Sequence, residues 1–124
     1  RDQDGKHFEF LREQLKLSLL GLNKKADAVK LAIAYEPVWA IGKRAIDTIG
    51  PIELSESTIF IKKVLNDMFG RRVADRIPIL YGGSVEPNNA KALFTKTGVK
   101  GYLVGRASLN AKNFKAIAVS LTSK

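Results

Sequence analysis

A parallel α/β sheet with helical crossovers is the fold class this sequence predicts, and two observations carry it. The hydrophobic period switches regularly along the chain, in the order helix and then three strand–helix units. The strand-like runs are short and mainly apolar, as expected of parallel strands buried on both faces.

Phe8, Leu11, Leu15, Leu19 and Leu22 recur at helical spacing, and Gly21 with Asn23 supplies a stop, so residues 8–22 read as an amphipathic helix. Val29 to Tyr35 reads as the first strand. After a loop, Ile61, Val64, Leu65 and Met68 mark a second helix that ends at Gly70. The run "IPILYGG", Ile77 to Gly83, is the second strand, and Asn89 to Phe94 a short helix. "GYLVG", Gly101 to Gly105, is the third strand. Phe114, Ile117, Ala118 and Leu121 give a last helix, capped at Asn110 or Asn113. With no linker or low-complexity segment, residues 1–124 read as a single partial domain. Three buried parallel strands leave two long, apolar, unpaired edges, so the expected setting is a larger sheet.

Composition narrows the function. The 124 residues include no cysteine, which excludes disulfides and thiolate metal sites and fits an intracellular, cytoplasmic setting. No apolar run approaches the roughly 18 residues of a membrane span, and no signal peptide is visible. The opening "RDQDGK" has no initiating Met, which suggests a cleaved or partial chain. A net charge of +9 invites a nucleic-acid reading. The basic residues are scattered as pairs, such as Lys24-Lys25, Lys43-Arg44, Lys62-Lys63 and Arg71-Arg72, without stacking aromatics beside them. The expectation is therefore solvated helix faces, with no nucleic-acid or membrane partner.

The chemistry should lie at the carboxyl ends of the strands, where parallel α/β folds bind ligands. The first strand ends in Glu36-Pro37, the second in Tyr81-Gly82-Gly83-Ser84, and the third in Gly105-Arg106-Ala107-Ser108. Glycines let the backbone approach a ligand, and the amides of a following helical turn attract an anion, so the last two loops have phosphate-binding character. Ser84 and Ser108 offer hydroxyl donors. Glu36 is the candidate general base, expected as a partly buried carboxylate beside an apolar lid, with its backbone held extended by Pro37. His7, the only histidine, is expected on the surface.

"AYEPVWAIG", "ILYGGSVEPNNA" and "GYLVGRASL" together resemble the three C-terminal signature stretches of the triosephosphate isomerase family, in order and at similar spacing. The resemblance covers nearly the whole chain. It implies the C-terminal portion of a TIM (β/α)8 barrel, whose full form has eight strands in roughly 250 residues. It also implies that Glu36 is the base, that Pro37, Val38, Trp39, Ala40 and Ile41 form the front of a closing lid, and that the backbone at Gly42, Ser84, Gly105 and Arg106 grips phosphate. The implied substrate is a triose phosphate, with no metal or organic cofactor. The implied partners are the N-terminal half of the same barrel and, when complete, a second copy in a homodimer. The family's electrophilic histidine and active-site lysine belong to that other half, so the isolated chain is expected to be inactive. The other reading is a non-catalytic phosphate-binding half-barrel that self-associates. Three departures stand out. "KRAID" follows Gly42 where the family has Thr-Gly-Lys-Thr-Ala, the stretch to Pro51 is about two residues longer, and Arg106 replaces the second glycine of a Gly-Gly pair. If position 106 needs positive φ, the arginine is strained.

Overall fold

The computed structural model describes residues 6–22, 25–38 and 49–122. Its strands are β1 (Ile33–Tyr35), β2 (Ile79–Tyr81) and β3 (Gly101–Tyr102), joined as one parallel sheet in the order β1-β2-β3. The helices are α1 (Lys6–Ser18), α2 (Lys25–Ala28), α3 (Pro51–Phe69), α4 (Arg71–Arg76), α5 (Ala90–Lys96) and α6 (Ala111–Ser120), with a 3₁₀ turn at Arg106–Leu109. The α/β class and the parallel pairing are as the sequence predicts.

α1 buries Leu11 and Leu15, with Leu19 just beyond its end, against α3. Phe8 packs on Phe60 at 4.7 Å between ring centres, and Arg12 lies over the same Phe60 ring while pairing with Asp67 at 3.7 Å. α3 starts with Pro51 in its first turn, where the missing N–H costs nothing, after Gly50 in an extended conformation. Leu54, Ile61, Val64 and Leu65 form its buried stripe, each fully enclosed. Burying side chains of this size is worth about 1.5–3 kcal/mol apiece.

Gly70 ends α3 and starts α4 in a single residue. Its φ of 88° and ψ of 159° fall in a region that glycine alone occupies comfortably. Its amide donates to the Asn66 carbonyl, and its own carbonyl accepts from the amide of Ala74. Lys62, on α3, reaches across to donate to the Ala74 carbonyl at 2.6 Å and to that of Ile77, tying the α4 end to the start of β2. Partial burial lowers the affinity of that ammonium for its proton; Asp75 opposes the shift and Lys100 adds to it.

The strands are shorter than the apolar runs suggest. Val29 and Lys30 stay in a turn because the Lys30 and Leu31 amides bond back to the Asp27 and Ala28 carbonyls. β1 is also not buried on both faces: Tyr35 is buried, while Ala34 is exposed. The expected long unpaired edges are therefore ladders of two or three residues among the described ones.

Register places Tyr35, Tyr81 and Tyr102 side by side, one on each strand. The row faces the helices. Ser57 of α3 donates to the Tyr35 hydroxyl at 3.3 Å, and Tyr102 donates to the Ala90 carbonyl at 2.5 Å. Tyr81 and Tyr102 meet edge to face at 6.4 Å. Burial pushes both phenols well above the ordinary tyrosine pKa, and in each case a neighbouring tyrosine adds to the shift. Because strand side chains alternate, the residues that follow this row, Glu36, Gly82 and Leu103, turn to the opposite face.

Candidate functional site

The ladder continues one residue past each tyrosine. The Gly82 amide donates to the Tyr35 carbonyl at 2.8 Å, and the Leu103 amide to the Tyr81 carbonyl at 3.0 Å. This registers the three exit loops side by side at the carboxyl ends of the strands. Glu36 lies folded across Gly82: a Cβ built there would sit 2.4 Å from Glu36 Cγ and 2.7 Å from Oε1. Glycine at 82 is therefore what allows the carboxylate to rest over the second strand's exit. Gly83 is constrained from the other side, since its Cβ would lie 2.1 Å from the Tyr81 hydroxyl oxygen. The two glycines serve the two faces of the sheet separately.

Glu36 is exposed, not half-buried as expected, because it shares a face with Ala34 that no described helix covers. Pro37 behind it is buried, and Val38 is exposed. The lid candidates Trp39, Ala40 and Ile41, the phosphate candidate Gly42 and the "KRAID" variant lie outside the described residues.

After Gly83 the loop is tightly fixed. Val85 is buried and Ser84 half-buried. The Asn89 side chain accepts from the Glu86 amide at 2.8 Å and donates to the Ser84 carbonyl at 3.1 Å. The third exit loop folds into the 3₁₀ turn. Both the amide and the hydroxyl of Ser108 donate to the Gly105 carbonyl, at 2.9 and 2.6 Å. The Ser108 hydroxyl thus closes the turn in this structure. Arg106 is exposed, and no described non-glycine residue has positive φ, so the arginine carries no left-handed strain. Around Gly105 an added Cβ would meet open space.

A groove of about 960 Å³ runs along the outer edge of β1 against α1, lined by His7, Phe10, Leu11, Ile33, Glu36 and Pro37 among others. His7 is consequently not a surface residue. It is half-buried, stacked on Phe8 at 4.0 Å with its Nδ1 enclosed, and it shares the groove with Glu36. The helix-initial position alone gave no sign of this. Phe10 and Val38, both exposed, line this groove. Leu103 and Leu109, after β3, and Phe114 and Val119 on α6 are also exposed, as are Leu17 and Leu20 near the end of α1 and Ile52 and Ile59 on α3. Among the described residues no group of three or more His, Cys, Asp or Glu side chains is placed to hold a metal, and no helix is long and apolar enough to cross a membrane.

Three parallel strands in one sheet, joined by helical crossovers, are the architecture of part of a (β/α)8 barrel. The family model described as triosephosphate isomerase matches residues 1–121, and the chain belongs to that family. It is 41% identical over 119 residues to a triosephosphate isomerase of Flavobacterium johnsoniae, covering 96% of this chain and 46% of that protein. It is 45% identical over 112 residues to one of Geobacter metallireducens, covering 90% and 43%. For one of Clostridium botulinum the identity is 47% over 109 residues, covering 86% and 42%. The chain thus spans under half the length of these curated relatives.

Proposed function

We propose that this chain is the C-terminal part of a triosephosphate isomerase, interconverting dihydroxyacetone phosphate and glyceraldehyde 3-phosphate once the N-terminal part of the barrel completes it. The observation that carries the reading is Glu36 resting across Gly82, with the Ser84 and Gly105-Arg106 loops registered alongside. A carboxylate at that point can take a proton from the carbon beside a carbonyl while the phosphate is held by backbone N–H groups of the next two loops. The proton then returns to the neighbouring carbon through an enediolate. Pro37 to Ile41 would close over the substrate and exclude water, which strengthens every charge interaction inside. The enediolate oxygen needs a donor from elsewhere. By resemblance that is a histidine, with a lysine, on the N-terminal part.

The same reading assigns the two edges of the sheet. The groove along β1 and the Leu103–Phe114 side would each seat a strand–helix unit of the remaining barrel. The occupant we assign is the N-terminal half, because the relatives carry more than as much chain again. The finished barrel would then pair as a homodimer, work without a cofactor and reside in the cytoplasm.

Co-expression with a polypeptide carrying the other five strands tests this. Isomerase activity should arise only in the mixture, with both chains in one complex by native mass spectrometry. A complex that binds inorganic phosphate but never turns over would favour the self-associating phosphate-binding half-barrel instead.

A further inference from the structure

We infer that Asn89 is a positioning residue for the phosphate grip, acting through the Ser84 loop; the inference rests on the phosphate-binding role proposed for that loop. Asn89 sits directly before α5, where asparagine ordinarily caps its own helix by accepting from an amide of the first turn. It does not do so here, for no side-chain cap bond forms. Its amide turns back instead, with Oδ1 accepting from the Glu86 N–H at 2.8 Å and Nδ2 donating to the Ser84 carbonyl at 3.1 Å. Those two bonds fix the peptide planes on either side of Val85, whose side chain is buried in the core.

Asn110 provides the internal comparison. It occupies the same place before α6, and its Oδ1 accepts from the Asn113 amide at 2.9 Å in the ordinary capping manner. The same residue type thus caps a helix after the third strand and clips a loop after the second. The clipped loop is the one crossed by Glu36. At its other end the Gly82 amide is fixed to the Tyr35 carbonyl. With both ends held, Gly83 and Ser84 meet an anion with little ordering left to do, and preorganisation of that kind raises affinity.

The test uses the full chain labelled with nitrogen-15, titrated with inorganic phosphate and followed at the Ser84 and Arg106 amides. Asn89→Thr replaces the separate Oδ1 acceptor and Nδ2 donor by one shorter hydroxyl, which keeps an acceptor for the Glu86 N–H but falls short of the Ser84 carbonyl; Asn89→Ala loses both bonds. Both variants should bind phosphate about tenfold more weakly as read at Ser84, while Asn89→Thr melts within a few degrees of the unaltered chain. Variants that bind as the unaltered chain does, or that lose binding only in step with loss of folding, would overturn the inference. No response at Ser84 in the unaltered chain would instead remove the phosphate role of the loop, and the inference with it.

Discussion

Replacing Gly82 by alanine should separate catalysis from stability. The new Cβ would lie 2.4 Å from Glu36 Cγ, 2.7 Å from Oε1 and 2.9 Å from Cδ, against ordinary contacts of 3.4–4 Å. Glu36 must therefore retreat by about 1 Å. Its side chain is exposed and has room to do so, and the backbone at 82 is not in the left-handed region, so the fold loses little. A misplacement of ~1 Å at a reacting group costs about 10²-fold in rate. That is about 2.7 kcal/mol of barrel activity. The companion change, Gly83→Ala, should do the reverse. Its Cβ meets the hydroxyl of Tyr81, which is fully buried and cannot move aside, so overpacking should cost about 1–3 kcal/mol of stability. The assays are isomerase turnover in the two-chain complex and urea unfolding of this chain. The reasoning fails if Gly82→Ala keeps turnover within about threefold, or if it destabilises the chain as much as Gly83→Ala.

Three further outcomes follow from the packing. Gly70→Ala should lose about 1–3 kcal/mol in urea titration, because φ of 88° with ψ of 159° is open only to glycine. Lys62→Met should lose about 1–3 kcal/mol by removing the ammonium donor from the Ile77 carbonyl and leaving the Ala74 carbonyl with the Ile77 amide alone, again read by urea unfolding. Alkaline pH should destabilise the chain from about pH 10 upward. There the unfolded phenols give up their protons while Tyr81 and Tyr102 hold theirs, so the folded state binds more protons and stability falls as pH rises. Lys62 works the other way just below its ordinary value of 10.5, since the folded state releases that proton first. Tyr81→Phe should flatten the alkaline fall, measured as stability against pH with tyrosinate absorbance as the monitor.

Much of the fold was legible because single residues punctuate it. Gly70 marks the end of α3, and Asn110, one of two caps the sequence offers, marks α6. The start of α3 at Pro51, ten residues before the apolar pattern read from Ile61, was not legible. That three strands, at 33–35, 79–81 and 101–102, pair in parallel follows from the alternation; their order in the sheet does not. α2 and α4 were not legible, since four and six residues are too few to show a helical period. Nor was the exposure of Glu36, which depends on what covers one face of the sheet and not on the local run "AYEP". The site was readable as three strand ends, but their contacts were not. That Glu36 lies over Gly82, that Tyr81 lies under Gly83, and that Asn89 turns backwards are facts of tertiary register. The Gly-Gly pair signalled a close approach, and the structure assigns one approach to each glycine.

In the function we propose, Glu36 moves the proton within a barrel this chain only partly supplies. The most direct measurement is turnover of the two-chain complex carrying Glu36→Gln, with inhibition by inorganic phosphate measured alongside. The expected result is a fall in kcat of at least about 10²-fold, as for loss of a general base, with phosphate inhibition unchanged. A complex that keeps its kcat with glutamine at 36 would contradict the proposal.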